Sequence, residues 1–534
     1  MIFHNVSKIS TLNFNNYFDT NAFYPNKNTL LFADSFIPQA LLELPFYLVT
    51  KNLILSFNIT FFIVLILNYL STYLFWRKLF KNSFIAFFGS LFTIFSPAQM
   101  LEFSHFQMIF IWPFFFSLFF ILKSQENHSI RNLTLAGIFL AIQFLGSVYL
   151  SFYLIFTIAL LYFIEFITSK NYRFQNLRNI GIVFLVFIIL NGYFIKNYVD
   201  TKKAYNIHHS LSENVTYSAH LTDYIFTSRI DSIIHTSEIA NKWNSFNKNV
   251  SGGQSSFPGL LIFLLFLYSF FDIKKVQNKL IFRFDINKEQ LLFTSLLFFG
   301  FLFSLGPRLN FNGVYAYIPT PYDLLLRIIP LVQEIRAPSR WYFIFTIGII
   351  YFALLGIKKL QAKIDSRLLF IALLVIFFLE YVPVGITTHS ETYINNHYIT
   401  LKDLCSSKKL AVLEIPVTHL NAYPDIVSGL NYISKVQLAS TYHQCYLING
   451  YSSYDMPHLY TLSYNLYTAI IDNNVEMFID ALTNSKTDVV KFNEDQLPRE
   501  VYAQLPSFIE KLSTKSGIKR LDNEMFIFES NLKK

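Results

Sequence analysis

Three stretches of this chain concentrate side chains that could act on a hydroxyl or grip a phosphate. In the first, Phe18-Asp19-Thr20-Asn21-Ala22-Phe23-Tyr24-Pro25 is followed by Asp34 and Glu43. A carboxylate at Asp19 or Asp34 could take a proton from a sugar hydroxyl or hold a divalent cation beside a phosphate. Both are also the residue type of turns and helix caps, and spacing alone favours that plainer role. The second stretch is Glu102-Phe103-Ser104-His105-Phe106-Gln107. Its imidazole could relay a proton or bind phosphate, although His105 and Gln107, two apart, share no helix face unless the chain is extended at His105. A polar cluster capping the next helix is the duller alternative. The third runs from Gly306-Pro307-Arg308 through Pro319-Thr320-Pro321-Tyr322-Asp323 to Ile335-Arg336-Ala337-Pro338-Ser339-Arg340-Trp341. Guanidinium groups grip phosphate bidentately, and a helix starting after Pro338 would add backbone amides. Arginines that merely snorkel to an interface are the alternative.

The elements that must position these residues are hydrophobic. Of 534 residues, 53% are hydrophobic and 14% charged, against about 25% charged in an average soluble domain. Ten apolar windows, near 57–76, 84–101, 105–122, 132–148, 149–167, 180–196, 258–271, 290–305, 341–357 and 368–384, are of a length that crosses roughly 30 Å of hydrocarbon. A membrane is the only solvent for so many exposed apolar helices.

The net charge of +9 points to lipid headgroups and not to nucleic acid, because the basic residues gather in alternate short loops. These hold Arg77, Lys78 and Lys81; Lys123 and Arg131; Lys170, Arg173 and Arg178; Lys274, Lys275, Lys279, Arg283 and Lys288; and Lys358, Lys359, Lys363 and Arg367. The positive-inside rule makes that side cytoplasmic and turns residues 1–52, 197–257, 306–340 and 385–534 outward. Arg327, Arg336 and Arg340 then stand against the charge bias, which favours a function for them. An outward start without a signal peptide raises the expectation of a further membrane helix upstream of Met1.

Three domains are expected: an outward N-terminal loop with an interfacial helix over 1–52, a transmembrane domain over 53–386, and an extracytoplasmic α/β domain over 387–534. In the last, Val412-Leu413-Glu414-Ile415-Pro416 and Glu524-Met525-Phe526-Ile527-Phe528-Glu529 read as strands, and 459–482 has helical spacing. The two cysteines, Cys405 and Cys445, both fall there, where a disulfide could persist; sequence leaves open whether they are bonded. The chain has no nucleotide-binding glycine loop, no Cys/His metal box, no nucleophile elbow and no transporter-like repeat. Ionisable residues inside the windows are few, with Glu165 and Glu380 near ends.

The run Phe18-Asp19-Thr20…Tyr24-Pro25…Asp34, then Ser96-Pro97…His105-Phe106-Gln107, then Pro319-x-Pro321-Tyr322…Arg336-Ala337-Pro338-Ser339-Arg340, with Asn449-Gly450-Tyr451-Ser452, resembles uncharacterised bacterial multi-pass membrane proteins of the GT-C glycosyltransferase class. The resemblance implies an all-α polytopic bundle and an acidic catalytic residue in the first outward loop, where Asp19 and Asp34 are the matching positions. It implies a polyprenyl-phosphate-linked sugar as donor and basic residues or a divalent metal at the leaving phosphate. Tyr24, His105, Gln107, Arg308, Arg336 and Arg340 are the corresponding substrate-binding candidates. The class begins with a membrane helix before the acidic loop, and this chain departs from that pattern. A non-catalytic protein that binds or moves a lipid-linked glycan or another envelope component is the rival expectation.

Overall fold

A computed structural model describes residues 1–168, 173–225, 237, 242, 256–270, 275–276, 279–280, 287–311, 313–382, 394–421, 425–452, 454 and 456–528. The domain boundary at 386/387 and the basic residues Lys170, Lys274 and Arg283 lie outside the described residues. Two compact units form: one combines Met1–Ser35, Tyr198–Ile207 and Thr388–Lys534, the other Phe36–Asn197 and His208–Thr387. This division differs from the three domains expected from sequence. Residues 1–35 belong with the C-terminal segment, and 36–52 belong with the helices.

In the helical unit each of the ten apolar windows is largely helical among the described residues. Among the described residues, six helices are long and apolar enough to cross a bilayer: Leu53–Phe80, Ser83–Ser104, Phe106–Asn127, Val148–Thr168, Gln175–Tyr205 and Pro338–Gln361. Shorter apolar helices cover Ile130–Gly146, Leu260–Phe270, Lys288–Ser304 and Ser366–Tyr381. Phe62 and Ile66 on the first long helix and Ile189 on the fifth are 64%, 66% and 71% exposed, a surface that only hydrocarbon would cover. The chain is a helical membrane protein with a small C-terminal sheet.

Asparagines abundant in the sequence serve as helix starts. The side chains of Asn52, Asn82 and Asn287 accept the first free amides of their helices, satisfying donors that would otherwise go unpaired beside lipid. Helices Lys288–Ser304 and Tyr342–Gln361 approach backbone to backbone. A Cβ on Gly300 would stand 2.2 Å from the Phe345 nitrogen, and one on Gly348 2.7 Å from Leu297, so small residues set this crossing. The expected helix near 35–49 forms as Ile37–Thr50 and is tied into the bundle, with Gln39 donating to the Gly146 carbonyl at 2.9 Å and Ser56 donating to Glu43 at 2.9 Å.

The first unit is built on a five-stranded sheet. Its strands are β1 Ala411–Ile415, β2 Tyr446–Leu447, β3 Val489–Phe492, β4 Ile518–Arg520 and β5 Met525–Phe528, in the order β2-β1-β3-β5-β4. β1 runs parallel to β2 and β3, while β5 is antiparallel to β3 and β4. Strands β1, β3 and β5 are buried throughout, which explains their near-continuous apolar sequences. Two charges interrupt them, Glu414 and Lys491, in register on neighbouring strands. Lys491 Nζ lies 3.3 Å from Glu414 Oε2, which also accepts from Tyr398 and Asn493. Cys405 and Cys445 are bonded, with Cα atoms 5.5 Å apart.

The N-terminal run extends this sheet. Ala22 bridges Leu447 in parallel. Leu447 N–H donates to the Asn21 carbonyl at 2.7 Å, Tyr24 N–H to the Leu447 carbonyl at 3.0 Å, and Phe23 N–H to the Asn449 carbonyl at 3.2 Å. Tyr24 stacks on Tyr446 with ring centroids 4.6 Å apart. The exposed edge of β2 is thereby covered by main chain.

Replacing both cysteines with serine should destabilise the first unit by up to about 4 kcal/mol, the loop-closure value for the intervening segment. Faster amide exchange across residues 396–528 in the intact protein would register it, and unchanged exchange would contradict it. Acid should act on the same unit. Burial, opposed by Glu414 and reinforced by Lys491, pushes His443 down from 6.5 to about 4, and burial does the same to His4 against its bond to the Tyr17 carbonyl. The unfolded chain then takes up protons near pH 6.5 that the folded unit refuses until about pH 4. Stability should fall as pH drops through that window, by up to about 3 kcal/mol for His443. His443→Gln should flatten the pH dependence of exchange over 396–528.

Candidate functional site

The strongest chemical cluster lies in the helical unit, where the helix begun at Ser83 breaks up. Ser96 leaves the helix, Pro97 starts a five-residue turn of helix to Leu101, and Glu102–Ser104 tighten into a 3-10 turn. His105 is non-helical at φ −112° and ψ 85°, the extended conformation that the pattern at 105 and 107 required. These breaks turn Glu102 inward. Its side chain is fully buried, with Oε2 3.0 Å from His105 Nδ1 and Oε1 3.4 Å from Arg340 Nε.

Arg340 reaches Glu102 from a 3-10 turn, Pro338–Trp341, whose anchor is Trp341. That indole is fully buried among Tyr153, Phe156 and Phe303, with centroids 4.7, 5.0 and 5.0 Å away. The Arg340 guanidinium lies 4.9 Å over the Tyr149 ring, where the ring quadrupole adds to the carboxylate in holding it. Tyr342 donates to Gln99 Oε1 at 3.3 Å, and Gln99 donates to the Met108 carbonyl at 3.1 Å, which fixes the two segments against each other.

In this cluster the histidine is the accessible member. The His105 side chain is 45% exposed, that of Arg340 is 10% and that of Glu102 is 0%. His105 Nδ1 also faces Ser104 Oγ at 3.3 Å; in the tautomer that carries its proton on Nδ1, beside Glu102, a neutral imidazole keeps its lone pair on Nε2, where it can accept a proton. The arrangement can do general base chemistry at the end of the bundle opposite the Lys288 end of helix Lys288–Ser304.

Arg336 forms a second pairing. Its Nε is 3.3 Å from Glu213 Oε1, its Nη2 donates to the Tyr217 hydroxyl at 2.8 Å, and its guanidinium stands 4.6 Å over the Tyr217 ring. Glu213 also closes the capping box of helix Leu211–Thr216, and His209 Nδ1 lies 3.4 Å from it. Asn214 donates to the Ile335 carbonyl at 2.9 Å. The 208–224 and 330–341 segments are thus clasped around Arg336. Arg308 sits half-buried at the start of a hairpin strand, Arg308–Phe311, and donates to the Pro307 carbonyl at 3.3 Å. Gln107 is half-buried in the short helix Phe106–Ile109.

The acidic N-terminal candidates lie in the first unit. Asp19 Oδ1 accepts the Asn28 amide at 2.8 Å and Oδ2 pairs with Lys27 at 3.0 Å; that hydrogen bond raises the Lys27 ammonium above its usual value. Asp19 thus ties a loop. Asp34 is within electrostatic reach of Tyr198, whose hydroxyl donates to the Ala33 carbonyl at 2.8 Å. Among the described residues no group of three or more His, Cys, Asp or Glu side chains could hold a metal ion. Glu380 caps helix Leu260–Phe270 by accepting the Leu260 and Leu261 amides.

Sequence reasoning picked out His105 and Arg340 but assigned no role to Glu102, Tyr149 or Glu213. A lone carboxylate closing an apolar helix, three residues from a histidine, was the available signal for Glu102.

Residues 10–380 match the model of a family described as a domain of unknown function, DUF6311. The chain belongs to that family. No curated protein matches it. The DUF6311 match spans all the candidate residues above, from Asp19 to Arg340, and stops before the strands β1 to β5.

The buried pair yields a stability test. Glu102→Gln or Arg340→Met alone should cost about 3–5 kcal/mol, because each strands the opposite charge away from water. The double variant should recover most of that loss. Melting followed by circular dichroism would check this; additive losses would show that the two side chains are not coupled.

Proposed function

We propose that this chain is a GT-C-like membrane glycosyltransferase that moves a sugar from a polyprenyl phosphate to an acceptor hydroxyl outside the cell. The observation that carries the proposal is the Glu102–His105 dyad, a buried carboxylate behind a half-exposed imidazole, braced by Arg340. His105 Nε2 takes the proton of the acceptor hydroxyl as that oxygen attacks the anomeric carbon. The bond from carbon to phosphate oxygen breaks, and polyprenyl phosphate leaves with the electron pair. Glu102 steadies the imidazolium. Arg336 and Arg340 remain the candidate guanidinium groups for the leaving phosphate, which would have to compete with Glu213 or Glu102 for them. Asp19 and Asp34 remain the positions matching the acidic residue of the GT-C class.

The proposed topology has ten spans with the first unit outward, and parity supports it. Residues 1–35, 198–207 and 388–534 fold into one unit and so share an aqueous compartment, which demands an even number of crossings in each intervening stretch. The ten windows divide into six and four. The six long helices alone divide into five and one, so the proposal counts shorter helices such as Ile130–Gly146 among the crossings. A persistent Cys405–Cys445 disulfide favours the oxidising side for this unit, as does the clustering of basic residues in the opposite loops.

Purified full-length protein in nanodiscs, given a radiolabelled polyprenyl-phosphate sugar and an acceptor glycan, tests the proposal. Transfer is expected, with His105→Ala and Glu102→Gln reducing it by about 10²–10⁴-fold while Asp19→Asn has a small effect. Loss of transfer in Asp19→Asn or Asp34→Asn, with His105→Ala active, would move the base to the N-terminal run. Donor binding without transfer by the wild type would favour a non-catalytic carrier of a lipid-linked glycan.

A further inference from the structure

The opposite end of the helical unit holds a cavity that the proposed chemistry does not use. It measures about 130 Å³ and is walled by apolar side chains from several helices, among them Leu79, Leu122, Leu161 and Phe293, with Gln125 and Lys288 at its polar side. An engineered apolar cavity of about 150 Å³ stays dry and takes benzene, so this one has room for about five or six carbons. An unfilled apolar cavity forfeits dispersion contacts along its lining.

The polar side carries both signs of charge. Glu165, 5% exposed on a membrane helix, accepts from Gln125 Nε2 at 2.6 Å and pairs with Lys288. Glu289, beside Lys288, also lines the cavity. A carboxylate kept within a membrane helix and paired to a lysine from another helix marks a polar site. Lys288 has three N–H donors, of which Glu165 takes one, and its side chain is 44% exposed. Lys288 and Glu289 thus bring one ammonium and one carboxylate to the lining, with Glu165 behind it as the partner of Lys288. An all-anionic headgroup would leave Glu289 unmatched there. A headgroup with a phosphate for Lys288 and a protonated, hydrogen-bonding amine for Glu289 matches both charges.

We infer that this cavity binds a zwitterionic phospholipid of the phosphatidylethanolamine class, with a stretch of about five or six carbons of one acyl chain inside and the headgroup on Lys288 and Glu289. Hydrocarbon moving from bilayer to cavity gains little hydrophobic free energy, since both are apolar; selectivity comes from the headgroup and from shape. The site depends on the protein being in a membrane and is independent of glycosyl transfer, so either can fail alone.

The test reconstitutes the full chain in vesicles of equal phosphatidylethanolamine, phosphatidylglycerol and phosphatidylcholine, extracts it in detergent, and measures retained phospholipid by native mass spectrometry. Phosphatidylethanolamine should be enriched about tenfold over the input ratio, a difference of 1.4 kcal/mol. Lys288→Gln should abolish the enrichment, with Gln125 left as the donor to Glu165, and Leu161→Trp should do so by filling the cavity. Retained lipid that mirrors the input mixture, preference for phosphatidylglycerol, or enrichment that survives Lys288→Gln would overturn the inference. Should Leu161→Trp fail to fold, Lys288→Gln alone decides.

Discussion

A carboxylate that loses its water must find a counter-charge, and in the helical unit Glu102 finds Arg340 across 238 residues of chain. Much else follows from meeting that need. The helix begun at Ser83 is interrupted so that Glu102 can turn inward, the turn at Pro338–Trp341 is locked by a buried indole so that Arg340 can reach it, and the Tyr149 ring closes over the guanidinium. Desolvation is repaid only when partners are held this closely. The His105 imidazole is the one member of the cluster left half in the open, so the same pairing that settles the interior also leaves a ring at its surface.

Other polar groups in the helical unit follow the same rule with different partners. Glu213 neutralises Arg336, Glu165 neutralises Lys288, and Glu380 directs its charge at the free amides of a helix start. Each pairing joins segments distant in sequence. Within an apolar bundle these contacts carry directional information that uniform hydrocarbon packing cannot supply, and the glycine-mediated crossing at Gly300 and Gly348 supplies the rest through shape.

What was legible in the sequence divides along the same line. The helices were legible because long apolar runs declare themselves, and each window is largely helical among the described residues. Strands β1 and β5 were legible from short buried runs. His105 and Arg340 stood out as polar residues beside apolar segments. Their convergence on Glu102 was not legible, because a contact spanning hundreds of residues leaves no local pattern. Glu213 lay hidden in a long loop for the same reason. The N-terminal run draws notice for its acidic side chains, Asp19 and Asp34. Its attachment to Leu447 is made by main-chain hydrogen bonds, to which side-chain chemistry gives no clue.

That attachment has a consequence for how the protein comes into being. At about 5–20 residues per second, Tyr24 leaves the ribosome some tens of seconds before Leu447 exists. Throughout that interval, while the bundle is threaded into the bilayer, the nascent N-terminal run has donors and acceptors but no edge to join. A chaperone or headgroup surface that shields it would be a natural assistant, and the last strands to emerge complete what the first residues began.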